Sequence, residues 1–357
     1  MAEPRTDGSG QECIRDFVPG ADDAQVADLW QRVFGAARGG QSPEWLFRDG
    51  PAGVAPRAVA EIEGRIVAHA GAVPLRFALC GEAVRGGYSV GAMTDPACQG
   101  RGLFFRVGRH LYDRLEREGF AFIAGFSNRN SERLMTGPLG RTPVRPFPWC
   151  VKVLRPLGLV TSLLGLRAGD RPGSPSPLSP MLYRGIGVGP IAADDPRLDV
   201  LWRRAAPGFQ VGAVRDAAHA KWRYGTRPDA GYRLLLATRD GNPAAALVFR
   251  TLPLRGIRAG FVLDLVVAEG ETAAGAAVLA GAERLAADED LALLSALQPG
   301  GGPSRKALLR AGFLRVPERL HPQLVRFSVR GLGRFAAHPA LVDPAAWHLS
   351  WADTDVV

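Results

Sequence analysis

Thr94-Asp95-Pro96-Ala97-Cys98-Gln99-Gly100-Arg101-Gly102-Leu103-Phe104 is the stretch that decides the fold. It follows a β-type run, Tyr88 to Thr94, and opens a helix with apolar positions at Leu103, Val107, Leu111 and Leu115. A strand feeding a glycine-rich turn and then a helix N-terminus makes an anion site. The first helical N–H groups have no intrahelical acceptor, and the helix dipole adds partial positive charge. Gly100 and Gly102 let the backbone close on a phosphate without a Cβ in the way. Arg101 can add a charge-assisted contact at the rim. No Gly-Lys-Ser/Thr follows, so this is not a Walker loop, and the glycine spacing of a dinucleotide fingerprint is absent.

The elements around this loop occur twice. Asp22-Asp23 precedes Val26, Leu29, Trp30, Val33 and Phe34 at helical spacing, and Asp194-Asp195-Pro196 precedes Leu198, Leu201 and Trp202. Both helices therefore start from an acidic cap, with Pro196 suited to a first helical position. Each half continues with a tryptophan segment, Pro43 to Phe47 and Lys221 to Tyr224. Hairpins follow: Ala58–Ile62 turning at Glu63-Gly64 into Ile66–Phe77, and Tyr232–Thr238 turning at Asp240-Gly241-Asn242 into Ala244–Leu252. A further strand comes next in each, Tyr88–Thr94 and Phe261–Ala268. Each half closes with a helix running into glycine, Leu134 to Gly140 and Lys306 to Gly312. Matching order over two halves indicates duplication. The Pro/Gly/Ser-rich run Arg167 to Pro180 reads as the spacer. The expected division is a domain at 1–166, a linker at 167–182 and a second domain at 183–357.

The bulk properties suit such a chain. It has 357 residues, enough for two cores, and is 46% hydrophobic and 22% charged, as in a globular protein. The longest apolar stretch, Val151 to Leu166, is interrupted by Lys152, Arg155, Pro156 and Gly158 and is too short to span a bilayer. The start, with its acids and glycines, lacks the apolar stretch of a secretory signal. The four cysteines, Cys13, Cys80, Cys98 and Cys150, show no paired spacing. That predicts reduced thiols in a cytoplasmic protein and no metal site. A formal net charge of +9 suits an anionic ligand, while the scattered arginines do not form a nucleic-acid stripe.

The loop resembles the pyrophosphate loop of GNAT acyltransferases, Gln/Arg-x-x-Gly-x-Gly/Ala. Gln99, Gly102 and the following helix match; Phe104 stands where the family has a small residue. The resemblance covers residues 20 to 148. It implies an α+β fold of two tandem GNAT-like domains, each a mixed, mostly antiparallel sheet flanked by helices. It also implies acetyl-CoA or another acyl-CoA as co-substrate, without a metal. Ala92, Met93 and Thr94 would pair with the pantetheine arm as an added strand. Gln99, Gly100, Arg101, Gly102, Leu103 and Phe104 would take the pyrophosphate, and Asn128 would touch pantetheine or adenylate. In the second copy Glu269-Gly270-Glu271-Thr272 replaces the loop, so that half is expected to wall the acceptor cleft instead. The pattern is similar to tandem GNAT proteins that acylate amino groups on nucleotide-linked sugars, and more distantly to Eis-like acyltransferases. A small-molecule amine, such as a nucleotide-linked amino sugar, is the implied acceptor.

Amine attack on a thioester requires a proton to leave, and positioned acid–base groups contribute about 10²–10⁴-fold. The family's usual acid, a tyrosine on the helix after the Asn128 strand, is missing between Ser127 and Arg141. Ser127 or water is left to protonate the thiolate. His69, in Val67-Ala68-His69-Ala70-Gly71, has a side chain suited to the base, or is a satisfied core histidine. Asp264, a carboxylate in an apolar strand, is the other candidate base, or pairs with an arginine such as Arg258. Tyr88, Trp222 and Tyr224 either line an acceptor pocket or belong to the core. Other readings are acylation of a protein, peptide or antibiotic amine, peptide-bridge formation with aminoacyl-tRNA, and acyl-CoA binding without turnover.

Overall fold

The computed structural model describes residues 12–35, 44–48, 50–127, 129–145, 148–163, 178–226, 230–254, 257–297, 301–321 and 326–354. Asn128 and most of the spacer, 164–177, lie outside them. The first half runs β1 (Glu12–Asp16), α1 (Asp23–Val33), α2 (Glu44–Phe47), β2 (Arg57–Ile62), β3 (Arg65–Leu79), β4 (Glu82–Thr94), α3 (Leu103–Arg117), β5 (Phe122–Ser127), α4 (Arg129–Thr136) and β6 (Thr142–Val144). There follow β7 (Trp149–Val153), α5 (Pro156–Leu163), β8 (Met181–Tyr183), β9 (Ile186–Ile191), α6 (Arg197–Ala205), β10 (Val211–Ala213), α7 (Ala217–Ala220), β11 (Arg233–Arg239), β12 (Asn242–Leu254) and β13 (Ile257–Val267). The remainder is α8 (Thr272–Asp288), β14 (Leu293–Leu297), α9 (Gly302–Arg310), β15 (Leu314–Arg315), β16 (Arg326–Gly331), α10 (Pro339–Val342) and β17 (Trp347–His348).

Two mixed sheets result, flanked by helices. One has the order β1-β2-β3-β4-β5-β16-β6, with β10 on β3 and β17 on β10; the other is β15-β7-β14-β13-β12-β11-β9-β8. Within each, the central strands pair in parallel at one place only, β4 with β5 and β13 with β14. The strands on either side of these pairs join them antiparallel. The turns at Glu63-Gly64, Cys80-Gly81, Arg184-Gly185 and Asp240-Gly241 all have two consecutive residues at positive φ. That geometry matches the twist of flanking strands.

The repeat is visible strand for strand: β1-β2-β3-β4-β5 corresponds to β9-β11-β12-β13-β14. The sixth strand is exchanged. β7, from the first part of the sequence, pairs with β14, while β16, from the end, pairs with β5. The expected boundary at 166 thus divides the sequence but not the sheets. Each sheet needs a strand from the other half to cover its β5 or β14 edge, which would otherwise present unpaired backbone groups.

Helix starts differ from expectation at one point. Asp22 accepts two bonds from Arg15, at 2.7 and 3.0 Å, and one from the Val18 N–H at 2.8 Å, so it ties β1 to the chain before α1 without capping the helix. α3 lays Leu103, Val107, Leu111, Tyr112 and Leu115 against β2, β3 and β5. Each such side chain contributes about 1.5–3 kcal/mol. On the other face the halves share one core, into which the closing segment is threaded. Trp347 meets Phe77, Phe122 and Phe327 of the first sheet, and Trp351 meets Phe261 of the second.

Candidate acyl-CoA and acceptor site

The parallel pairing of β4 with β5 holds only for Gly86–Phe122, Gly87–Ile123 and Tyr88–Ala124. Beyond it the strands part, and β4 continues to Thr94 with β3 alone as its partner. A side chain at Gly125 would meet the Ser89 carbonyl at 3.2 Å, so glycine lets β5 pass β4 closely before leaving it. β4 also carries an extra residue there. Gly71 pairs with Val90 but His69 pairs with Met93, and Gly91 takes φ +68°. This bulge re-aims Ala92-Met93-Thr94. Met93 packs against α1, Ala92 lies toward α3, and the Thr94 hydroxyl is buried without a partner among the described residues.

The loop that follows is built from backbone. Asp95 caps the turn through the Ala97 N–H at 3.0 Å and binds Arg32 and Arg65 at 2.9 and 3.0 Å. Burial raises its pKa, but the Ala97 bond and Arg32 outweigh this and hold it below the usual carboxylate range. Gly100 and Gly102 adopt φ +79° and +72°, with open space where a Cβ would stand. Gly102 is the N-cap of α3 and offers no capping side chain. The first backbone bond into the helix is from Arg106 N–H to Gly102 O, at 3.1 Å. The N–H groups of Leu103, Phe104 and Phe105 precede it and are left for a ligand or water. Gln99, Gly100, Arg101 and Gly102 are all exposed. Phe104 is half-buried and packs against the core that α3 shares with β2 and β3. Arg101 reaches Glu12 of β1 at 3.3 Å rather than turning over the loop.

The second half has the same fork, and protein fills it. β13 leaves β14 after Val262–Ala296, and the Ser304 hydroxyl of α9 donates to the freed Leu265 carbonyl at 3.0 Å. At the N-terminus of α8, Glu271 is paired with Arg204 and Arg239 at 3.4 and 3.0 Å. A carboxylate thus stands where the first half offers bare N–H groups.

The three expected catalytic side chains are not brought together. His69 is buried, with Nδ1 at 2.7 Å from the Gly91 carbonyl and Nε2 accepting from Arg57 Nε at 2.9 Å. Burial and the Arg57 charge push its pKa down to about 3, against the pull of the Gly91 carbonyl. Both ring nitrogens are thus engaged within the protein. Asp264 pairs with Arg215 at 2.7 Å, not with Arg258, which binds Glu289. Ser127 donates to the Arg326 carbonyl of the exchanged strand at 3.3 Å. Tyr88 and Trp222 do line a cavity, together with Val73, Val90, His219 and Asp353, between β4, α2, α7 and the closing segment. Tyr224 lines a second one with Asp264 and Arg215; His219 borders both.

Sequence reasoning missed Arg215, which spans Asp264 and Asp353, the latter at 2.6 Å. Burial lowers its pKa, but the two carboxylates overcome this and the net shift is upward. Tyr88 and Tyr224 are held neutral, first by burial and then by Asp353 and Asp264 respectively. Only the clustering of Trp347, His348, Ser350 and Trp351 hinted that the closing segment is interior.

The neutral histidines predict acid sensitivity. Burial lowers His348 to about 4, and His69 lies at about 3. Between those values and about 6.5, the unfolded chain binds protons that the folded one does not, so stability falls as pH falls. These two sites alone give a slope of up to about 2.7 kcal/mol per pH unit, and His219, which burial also holds well below its usual pKa, adds to it. Urea midpoints measured from pH 7 to pH 5 should drop steeply; a flat profile contradicts the buried neutral state.

Residues 19–136, which contain β4, the loop and α3, match the family model of the acetyltransferase (GNAT) domain. The chain carries a GNAT acyltransferase domain. The match covers about a third of the chain, and similar solved structures extend the likeness, in fold alone, to 90% or more of it. A probable N-acyltransferase from Enterococcus faecalis is 10% identical, with a TM-score of 0.56, 90% of this chain and 73% of that one covered. A GCN5-related N-acetyltransferase from Kribbella flavida is 16% identical, with a TM-score of 0.57 and coverage of 90% and 71%. Saccharomyces cerevisiae N-myristoyltransferase with bound myristoyl-CoA is 11% identical, with a TM-score of 0.58 and coverage of 98% and 87%. No curated protein matches in sequence. Among the described residues no helix is long and apolar enough to cross a membrane, and no cluster of three metal-ligating side chains occurs.

Proposed function

We propose that the GNAT domain binds an acyl-CoA in the β4–β5 fork and transfers its acyl group to a primary amine held between the two halves. The observation that carries this reading is the combination, within the matched segment, of strands that part after Tyr88–Ala124 and an uncapped α3 N-terminus behind two left-handed glycines. Ala92 to Thr94 would pair with the pantetheine arm and Gln99 to Phe104 would surround the pyrophosphate, and Asn128 would touch pantetheine or adenylate. The first half alone holds the donor, because Ser304 and Glu271 occupy the corresponding places in the second.

The amine nitrogen attacks the thioester carbonyl, the C–S bond breaks, and the CoA thiolate leaves as the amine loses a proton. Tyr88 ends the paired part of β4, and its hydroxyl is buried beside the Asp353 carboxylate. Burial and Asp353 hold its proton in place, so Tyr88 stands beside the fork as a neutral hydroxyl that can orient a group. Ser127, further along β5, or water is left to protonate the thiolate. The acceptor is a small amine, with a nucleotide-linked amino sugar as the first choice to assay. Trp222 offers an aromatic face and Asp353 a carboxylate in the lining of the cavity. Free-thiol release from acetyl-CoA, measured over amino sugars, peptide amines and aminoglycosides, should single out one class. Tight CoA binding with no thiol release from any of them would point to binding without turnover.

A further inference from the structure

His69 and its partners form a chain that ends on the backbone of β4. Glu44 of α2 holds both terminal nitrogens of Arg57 at 2.8 and 3.0 Å, and Asp23 adds its charge at 3.9 Å. The Arg57 guanidinium lies 3.6 Å from the Phe17 ring centre and 4.5 Å from that of Phe47, fixed between two apolar faces. Its Nε then donates to His69 Nε2. A guanidinium has no acceptor to offer, so Nε2 must carry the lone pair and the ring proton must sit on Nδ1. That N–H points at the Gly91 carbonyl, 2.7 Å away. Phe17 and Phe47 meet the imidazole edge-on, at 6.3 and 5.9 Å between centres, and remove its remaining freedom.

Gly91 is the residue at which β4 departs from regular pairing, between Val90–Gly71 and Met93–His69. A bulge has one residue outside the ladder, and its carbonyl needs another partner if the backbone is to keep one course. We propose that His69 is a positioning residue for the donor: it holds the Gly91 carbonyl and so sets the course of Ala92–Thr94, with Arg57 and Glu44 fixing its tautomer. The inference rests on the acyl-CoA reading of the fork for its effect on the donor, but not for its effect on the strand.

The test uses the full chain with His69→Leu, His69→Asn and His69→Gln. Amide hydrogen exchange of residues 88–94 is measured in the free protein, and KM for acetyl-CoA and for the acceptor in turnover. His69→Leu should exchange at least tenfold faster over this segment and raise KM for acetyl-CoA at least tenfold. KM for the acceptor and the pH profile of kcat should not move. His69→Asn, whose amide N–H can take the place of Nδ1–H, should restore most of both. His69→Gln, which reaches Arg57 but not Gly91, should resemble His69→Leu and serves where the leucine variant does not fold. Unchanged exchange and KM in a folded His69→Leu would overturn the inference. So would a kcat loss shared by all three variants together with a missing limb of the pH profile, which is the signature of a base. If the wild type does not bind acetyl-CoA, the functional reading fails, while the exchange data still decide whether His69 holds the strand.

Discussion

Gly102→Glu is expected to raise the Kd for acyl-CoA at least about 100-fold, by removing charge-assisted contacts and adding a like charge. The cause is local. Gly102 stands at φ +72° as the N-cap of a 15-residue helix, and no side chain competes for the N–H groups beyond it. A glutamate there both lines the anion site with a carboxylate and can fold back onto those N–H groups. Any L-residue at this φ carries a strain of about 1–2 kcal/mol. Gly102→Ala shares that strain without the charge, so the difference between the two variants isolates electrostatics. Calorimetry with CoA reads the effect. Equal affinities for the alanine and glutamate variants would show that the phosphates lie elsewhere.

Arg215→Met is expected to cost about 3–5 kcal/mol of stability, the usual consequence of leaving buried charge without its partner. Arg215 is the cation between Asp264 of the second sheet and Asp353 of the closing segment, and all three side chains are buried. Methionine fills much of the volume but leaves two carboxylates facing each other. A urea midpoint close to wild type would contradict the arrangement. Asp264→Asn added to Arg215→Met should recover part of the loss, because one of the stranded charges is then gone. The closing segment should also become sensitive to proteolysis in Arg215→Met, since Asp353 is its ionic anchor.

What could be read in advance followed from periodicity and backbone chemistry. The 3.6-residue spacing of Leu103, Val107, Leu111 and Leu115 gave α3, and the two left-handed glycines before it were recognisable because few other residues adopt that conformation. The duplication was legible for the same reason, since each copy repeats the alternation of hairpin, strand and amphipathic helix. Strand exchange was not. β7 and β16 look like any short apolar strand, and nothing local in Trp149–Val153 or Arg326–Gly331 says which sheet they join. The geometry of the loop before α3 was legible because left-handed glycines and the free N–H groups of a helix start are backbone features. The proton-handling residues were not, because pKa depends on neighbours far apart in sequence. His69 has the right side chain for a base, but Arg57 and Gly91 consume both nitrogens, and the bulge that brings Gly91 there is a property of pairing. Asp264 was marked as needing a partner, and the partner is Arg215, 49 positions away in sequence, rather than the nearby Arg258.

The central claim is that one donor site lies in the first half and none in the second. Hydrogen exchange of the full chain with and without CoA tests it most directly. The predicted result is protection confined to Ser89–Thr94 and to Gln99–Phe105, at a stoichiometry of one CoA per chain. Protection of Leu263–Ala268 and the first turn of α8, or two equivalent sites per chain, would contradict the account.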